Sequence, residues 1–131
     1  MERRAVMKGA VAAGAAAMAS GAAVAAPEGV ALVHHVFFWL KNEGSATDRD
    51  ALIAGLRKLA AIPTIRALHL GVPAPTEQRD VVDASWHVSE LMFFDDTAGQ
   101  KTYQDHPLHR EFVATCEHLW RKVVVYDAVR A

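Results

Sequence analysis

Ten consecutive residues carry most of the chemistry this sequence offers. Tyr103-Gln104-Asp105-His106-Pro107-Leu108-His109-Arg110-Glu111-Phe112 holds a phenol, two imidazoles and a helix start. An imidazole titrates near neutrality and can remove a proton. A tyrosine hydroxyl can hold a developing oxyanion. Pro107 suits the first turn of a helix, where its missing N–H would have no partner anyway. From there Leu108, Phe112, Val113, Cys116, Leu119 and Trp120 form one apolar stripe at about 100° per residue. His109 falls inside that stripe, whereas Arg110, Glu117 and Arg121 fall opposite. A buried imidazole without a partner costs roughly 1–3 kcal/mol. His109 is therefore either a core histidine bonded to a carbonyl or a pocket histidine with Tyr103 across the loop. His106 sits at the cap before Pro107, where it is expected to bond backbone. His106 and His109 have the spacing of two metal ligands on one helix face, with His34 as a third from the sheet. The site is nevertheless read without a metal.

The elements that must position these residues follow from periodicity. Ala31 to Lys41 reads as a strand, rich in Val and Phe and free of Gly and Pro. Leu32, His34, Val36, Phe38 and Leu40 share one face; Val33, His35, Phe37 and Trp39 share the other. Both faces are apolar, so both need cover. Helices of the same chain can supply one layer, and a second copy the other. Thr47 and Asp50 resemble a capping box before a helix with Leu52, Ile53, Leu56, Leu59 and Ala60 inward, and Pro63 blocks its continuation. Ile65 to Val72 is a second strand that carries His69. Pro73 to Ala84 is a long polar connection, either a solvated hairpin turn or a covering loop. Ser85 to Phe94 is a third strand with Trp86, Val88, Glu90, Met92 and Phe94 on one face. Glu90 among apolar neighbours needs a partner or a raised pKa. An Arg or Lys at a dimer contact would serve, and a catalytic acid is the alternative. Asp95-Asp96-Thr97 starts a short helix through Gln104, a second runs from Pro107 to about Trp120, and Lys122 to Val129 closes the chain as a strand. The order β-α-β-β-α-β, with its second helix split before His106, is that of a ferredoxin-like α+β sandwich.

The pattern Tyr103-x-x-His106-Pro107-x-His109-x-x-Phe112 resembles the signature of the stress-responsive A/B barrel (Dabb) family. The first strand, Val33-His34-His35-Val36-Phe37-Phe38-Trp39-Leu40-Lys41, and the closing run Trp120-Arg121-Lys122-Val123-Val124-Val125-Tyr126-Asp127 resemble the family as well. The resemblance covers roughly residues 30–130 and implies a homodimer in which two sheets form a dimeric α+β barrel. Plant polyketide cyclases of this family close rings with a Tyr and His pair, without metal or organic cofactor. Their motif positions are Tyr103 and His109 here, and His34 matches the first-strand histidine. The resemblance thus implies His109 as base, Tyr103 as donor, and a ligand pocket near His34, Tyr103 and His109. Val88 stands where such cyclases carry a further polar residue on the third strand, a departure from their pattern.

The chain has 131 residues, enough for one domain. Its start reads as a twin-arginine signal peptide, residues 1–25. Arg3-Arg4 precede an Ala/Gly-rich apolar run from Gly9 to Ala23, and Ala23-Val24-Ala25 is a small-x-small site with cleavage after Ala25. The run is shorter than the ~20 apolar residues of a membrane span, although an uncleaved signal would act as an anchor. The expected location is periplasmic or secreted, with membrane contact only during export. Removal of residues 1–25 takes away three of 14 basic and one of 15 acidic side chains and leaves a net charge of about −3 on residues 26–131. That balance argues against a nucleic-acid partner, whose phosphates call for a basic face. Cys116, the only cysteine, excludes an intramolecular disulfide and reads as a small core residue. No Gly-x-Ser-x-Gly elbow or phosphate loop occurs.

Three functions fit. One is a binding protein for a small apolar or aromatic molecule. The second is a cofactor-independent enzyme, polyketide-cyclase-like or oxygenase-like, with His109 as base and Tyr103 as donor. The third is a structural dimer whose histidines satisfy core hydrogen bonds.

Overall fold

A computed structural model describes residues 31–131. The expected signal peptide lies outside the described residues. Strand β1 spans Leu32–Leu40, helix α1 Ala46–Arg57, strand β2 Ala67–Gly71 and strand β3 Val88–Phe94. Helices α2 (Thr97–Asp105) and α3 (Pro107–Cys116) follow, then strand β4 (Trp120–Val129). One antiparallel sheet has the order β2-β3-β1-β4, the ferredoxin-like arrangement expected.

The period-2 pattern of β1 decides which side the helices cover. Leu32, His34, Val36, Phe38 and Leu40 are all buried. They pack with Leu52 and Leu56 of α1, Met92 and Phe94 of β3, and Phe112 of α3 in one core. The opposite face carries Val33, His35, Phe37, Leu91 and Phe93, all only half buried in the single chain. Tyr126 continues that face on β4 and is 65% exposed. Helix α1 packs close to α3 because Gly55 leaves room: a methyl group there would meet Cys116 Sγ at 2.6 Å. Cys116 is buried, as a small core residue should be.

Several boundaries differ from the sequence expectation. The N-cap of α1 is Ser45, whose hydroxyl accepts from Asp48 N at 3.0 Å, so the cap lies two residues before Thr47. Strands β2 and β3 are shorter than Ile65–Val72 and Ser85–Phe94. Trp86 therefore escapes the alternation of β3. Its ring packs 5.1 Å from Phe37 on the uncovered face, and its indole N–H donates to the Asp83 carbonyl. Helix α3 ends at Cys116 in a 3-10 turn over Glu117–Leu119, and β4 begins at Trp120, two residues earlier than expected. At that start the pairing slips. Trp39 faces Lys122, but Leu40 faces Trp120, which leaves Arg121 as an extra residue in a β-bulge. Its guanidinium reaches Glu43 at 3.0 Å.

Candidate functional site

The helix-side face of the sheet is filled by apolar side chains except near its centre, where three elements converge. His34 enters from β1, Glu90 from β3 and Tyr103 from α2. Asp96 caps α2 by accepting from Gly99 N at 2.8 Å, and Thr64 donates to the Gly99 carbonyl at 2.8 Å. Those bonds seat α2 so that Tyr103 points at the sheet, 1% exposed. His106 then caps helix α3, its Nδ1 accepting from Leu108 N at 3.0 Å. This is the backbone role expected of His106. It turns His109 back over Tyr103, with ring centroids 4.8 Å apart.

These residues line one cavity of about 180 Å³. Val36, Phe38, Phe112 and Trp120 supply apolar wall, and Val123 and Val125, partly exposed on edge strand β4, border it. The expected site residues His34, Tyr103 and His109 are thus brought together. The ring contact of His109 runs to Gln104 Nε2 at a long 3.5 Å rather than to a main-chain carbonyl. Burial, and to a smaller degree the neighbouring His34, lower the His109 pKa. The ring is therefore neutral at pH 7 and able to accept a proton.

Two polar pairs complete the site. His34 Nδ1 lies 2.6 Å from Asp127 Oδ1. The carboxylate accepts a hydrogen bond from Nδ1–H and so leaves Nε2 as the nitrogen with a free lone pair, which is how a carboxylate sets a histidine tautomer. The Tyr103 hydroxyl donates to Glu90 Oε2 at 3.0 Å. Glu90 is 2% exposed, and burial pushes its pKa up to about 7, against the opposing effect of the Tyr103 bond. Burial, then the Glu90 charge, raise the Tyr103 pKa far above the usual phenol range. Tyr103 is therefore a hydroxyl donor and not a phenolate.

Glu90 corrects the sequence expectation. It faces the helices, away from the uncovered sheet face, and its partner is a tyrosine rather than an Arg or Lys at a dimer contact. Val88 is fully buried, and the polar group on the third strand enters two residues later, at Glu90. Asp127 was missed as a site residue. Only the β1–β4 register, which sets His34 opposite Asp127, reveals it.

The model of the family described as Dabb, Stress responsive A/B Barrel Domain, matches residues 32–130. The chain belongs to the Dabb family. No curated protein matches it. Among solved structures, the Dabb domain is similar to a Dabb family protein with a ferredoxin-like fold from Mesorhizobium loti. The two are 24% identical, with a TM-score of 0.64 over 78% of this chain and 98% of that one. A dimeric ferredoxin-like protein from Thermobifida fusca is 22% identical, with a TM-score of 0.62 over 79% and 93%. Hydroxynitrile lyase from Passiflora edulis is 20% identical, with a TM-score of 0.64 over 76% and 93%. At these identities the likeness concerns the fold of the Dabb domain.

Proposed function

We propose that this Dabb domain binds a small apolar or aromatic molecule in the cavity between sheet and helices, with its polar end at His34, Tyr103 and His109. The observation that carries this reading is the cavity itself: polar groups from four elements, β1, β3, α2 and α3, meet in an otherwise apolar wall. That composition is typical of small-molecule sites. A volume near 180 Å³ suits a ligand of about one ring, since an apolar cavity of about 150 Å³ accepts benzene. The domain works as a homodimer, with a second copy on the uncovered sheet face. The half-buried Phe37, Leu91 and Phe93 there and the dimeric ferredoxin-like relative support this. Arg3, Arg4 and the small residues before Ala26 support export by the twin-arginine route. Replacing both arginines by lysine should hold the protein in the cytoplasmic fraction, and unchanged fractionation would remove that part of the proposal.

A second reading has its own observation. The Asp127–His34 pair and the neutral His109 give the cavity two bases, and Tyr103 gives it a donor. Such a set can abstract a proton alpha to a carbonyl and hold the oxyanion without a cofactor. One solved relative of this fold is a hydroxynitrile lyase.

Thermal shift with single-ring phenols and aromatic ketones separates these readings from a purely structural dimer. A ligand bound only by the folded state raises Tm by mass action, worth about 2.7 kcal/mol at a hundredfold excess over Kd. The expected result is a shift for the wild type that His109→Ala and Tyr103→Phe reduce. No shift from any compound, together with a His109→Ala variant destabilised by a few kcal/mol, would mean that His109 is only core.

A further inference from the structure

The Tyr103 hydroxyl has one proton and two lone pairs, and its hydrogen-bond partner is Glu90 Oε2 at 3.0 Å. The bond can run in two directions. An ionised Glu90 must accept, so it takes the only proton Tyr103 can donate. A protonated Glu90 can donate to the Tyr103 oxygen instead, which frees the phenolic O–H to point into the cavity. We propose that Glu90 sets the direction of the Tyr103 hydroxyl, so that the cavity binds ligands bearing an acceptor oxygen, such as a ketone, together with one proton taken up by Glu90. This rests on the cavity being a ligand site.

The surroundings of Glu90 make the two states close in free energy. Val36 on β1 and Leu70 on β2 stand beside it in register, and both are apolar. Val88 and Met92, its neighbours on the same face of β3, are fully buried and apolar. The titratable groups that share its space are Tyr103 on α2, His34 on β1 and His109 on α3, with Asp127 on β4 behind His34. Among the described residues, no lysine or arginine lines the cavity. Burial without a cation holds the Glu90 carboxyl at about 7. The low pKa of His109 keeps a competing positive charge away from it at neutral pH. The proton balance is simple: Glu90 carboxylate, a solvent proton and the ligand give a carboxylic acid that donates to Tyr103, and Tyr103 donates to the ligand oxygen.

The test pairs acetophenone with isopropylbenzene, which has nearly the same shape without the oxygen. Acetophenone should bind about tenfold or more weakly at pH 8.5 than at pH 6, because the competent form is then a small fraction of the protein. Isopropylbenzene should bind equally at both. Glu90→Gln, whose amide can donate to Tyr103 at every pH, should bind acetophenone without pH dependence. A readout without ligand runs beside it. The chain has two tyrosines, Tyr103 and Tyr126, so ¹³Cζ-tyrosine labelling gives two resonances, with Tyr103 assigned through Tyr103→Phe. The Tyr103 signal should titrate near pH 7 in the wild type and stay flat in Glu90→Gln. A flat Tyr103 signal in the wild type, or acetophenone affinity equal at both pH values, overturns the proposal. If neither compound binds at any pH while Tyr103 still titrates, the ligand site itself is wrong, and acceptor selection falls with it.

Discussion

At pH 8, Glu90→Gln is expected to melt well above the wild type. The Glu90 carboxyl is held at about 7 against an ordinary value of 4.5. In the folded state it keeps its proton across that interval, whereas the unfolded chain has released it. A raised carboxyl pKa therefore favours the folded state at low pH, and that stability is lost as pH climbs from about 4.5 to about 7. Each unit is worth about 1.4 kcal/mol, so the full loss is about 3 kcal/mol. Glutamine has the same shape and never ionises. One of its amide N–H groups goes unpaired at a cost of about 1 kcal/mol, which leaves a net gain of about 2 kcal/mol. In a domain of this size that raises Tm by on the order of 10 °C. His109 and His35 act in the opposite sense. Burial lowers both, aided at His35 by His69 and His34, so their contribution is present above the ordinary histidine value and lost as pH falls through it. Both variants share those histidines, and the difference between the two melting curves isolates Glu90. Melting scans between pH 5 and 8.5 that run parallel would refute the assignment.

Phe37→Asp is expected to turn a dimer into a monomer. Phe37 sits in the middle of the uncovered face, with Trp86 at 5.1 Å and Tyr126 at 6.0 Å between ring centroids. Across the sheet it is flanked by Ser89 and Val124. Full burial of a phenylalanine contributes roughly 1.5–3 kcal/mol, and a twofold interface uses it twice. An aspartate there also brings two carboxylates into an apolar layer. The dimer dissociation constant should rise at least about a hundredfold, a loss of roughly 3 kcal/mol. Light scattering at micromolar concentration reads the mass directly. A wild type that is monomeric, or a Phe37→Asp variant that stays dimeric with an unchanged melting curve, would show that the second copy does not use this face.

Much of this architecture was legible in the sequence because period 2 and period 3.6 report burial directly. The alternation in β1 separated His34 from His35 correctly, and Pro107 marked the start of α3. The tyrosine and histidine that meet at the cavity lie on the last turn of α2 and the first turn of α3, only six residues apart, so local spacing sufficed to pair them. Trp86 was misplaced because alternation holds only while a residue is in the ladder, and Ser85–His87 fall outside it. The partners of Glu90 and His34 were not legible for a different reason. Glu90 meets Tyr103 across 13 residues, and His34 meets Asp127 across 93. Such contacts depend on which strand lies beside which, and no local pattern records that. The Thr47–Asp50 cap was a reasonable match to the rule, but Ser45 caps the helix two residues earlier by accepting from Asp48 N, while its own N–H donates to the Asn42 carbonyl.

The bulge at Arg121 has a consequence for the shape of the cavity. Strand residues two apart share a side, and Val123 and Val125 border the cavity. Strict counting from them would assign Arg121 to that side and Trp120 to the other, beside Trp39. The extra residue reverses this. Trp120 stacks on Phe112 at 5.6 Å and becomes a wall of the cavity, whereas Lys122, still in regular register, lies over Trp39 on the other side, 4.5 Å from the ring centroid. Parity, rather than side-chain identity, is what assigns the indole to the cavity side. Among Dabb chains with the same residues, one amino acid gained or lost between the last helix and the last strand would exchange the occupants of the two sides. Chain length at this point therefore decides which side chain walls the cavity, a feature that residue types alone do not record.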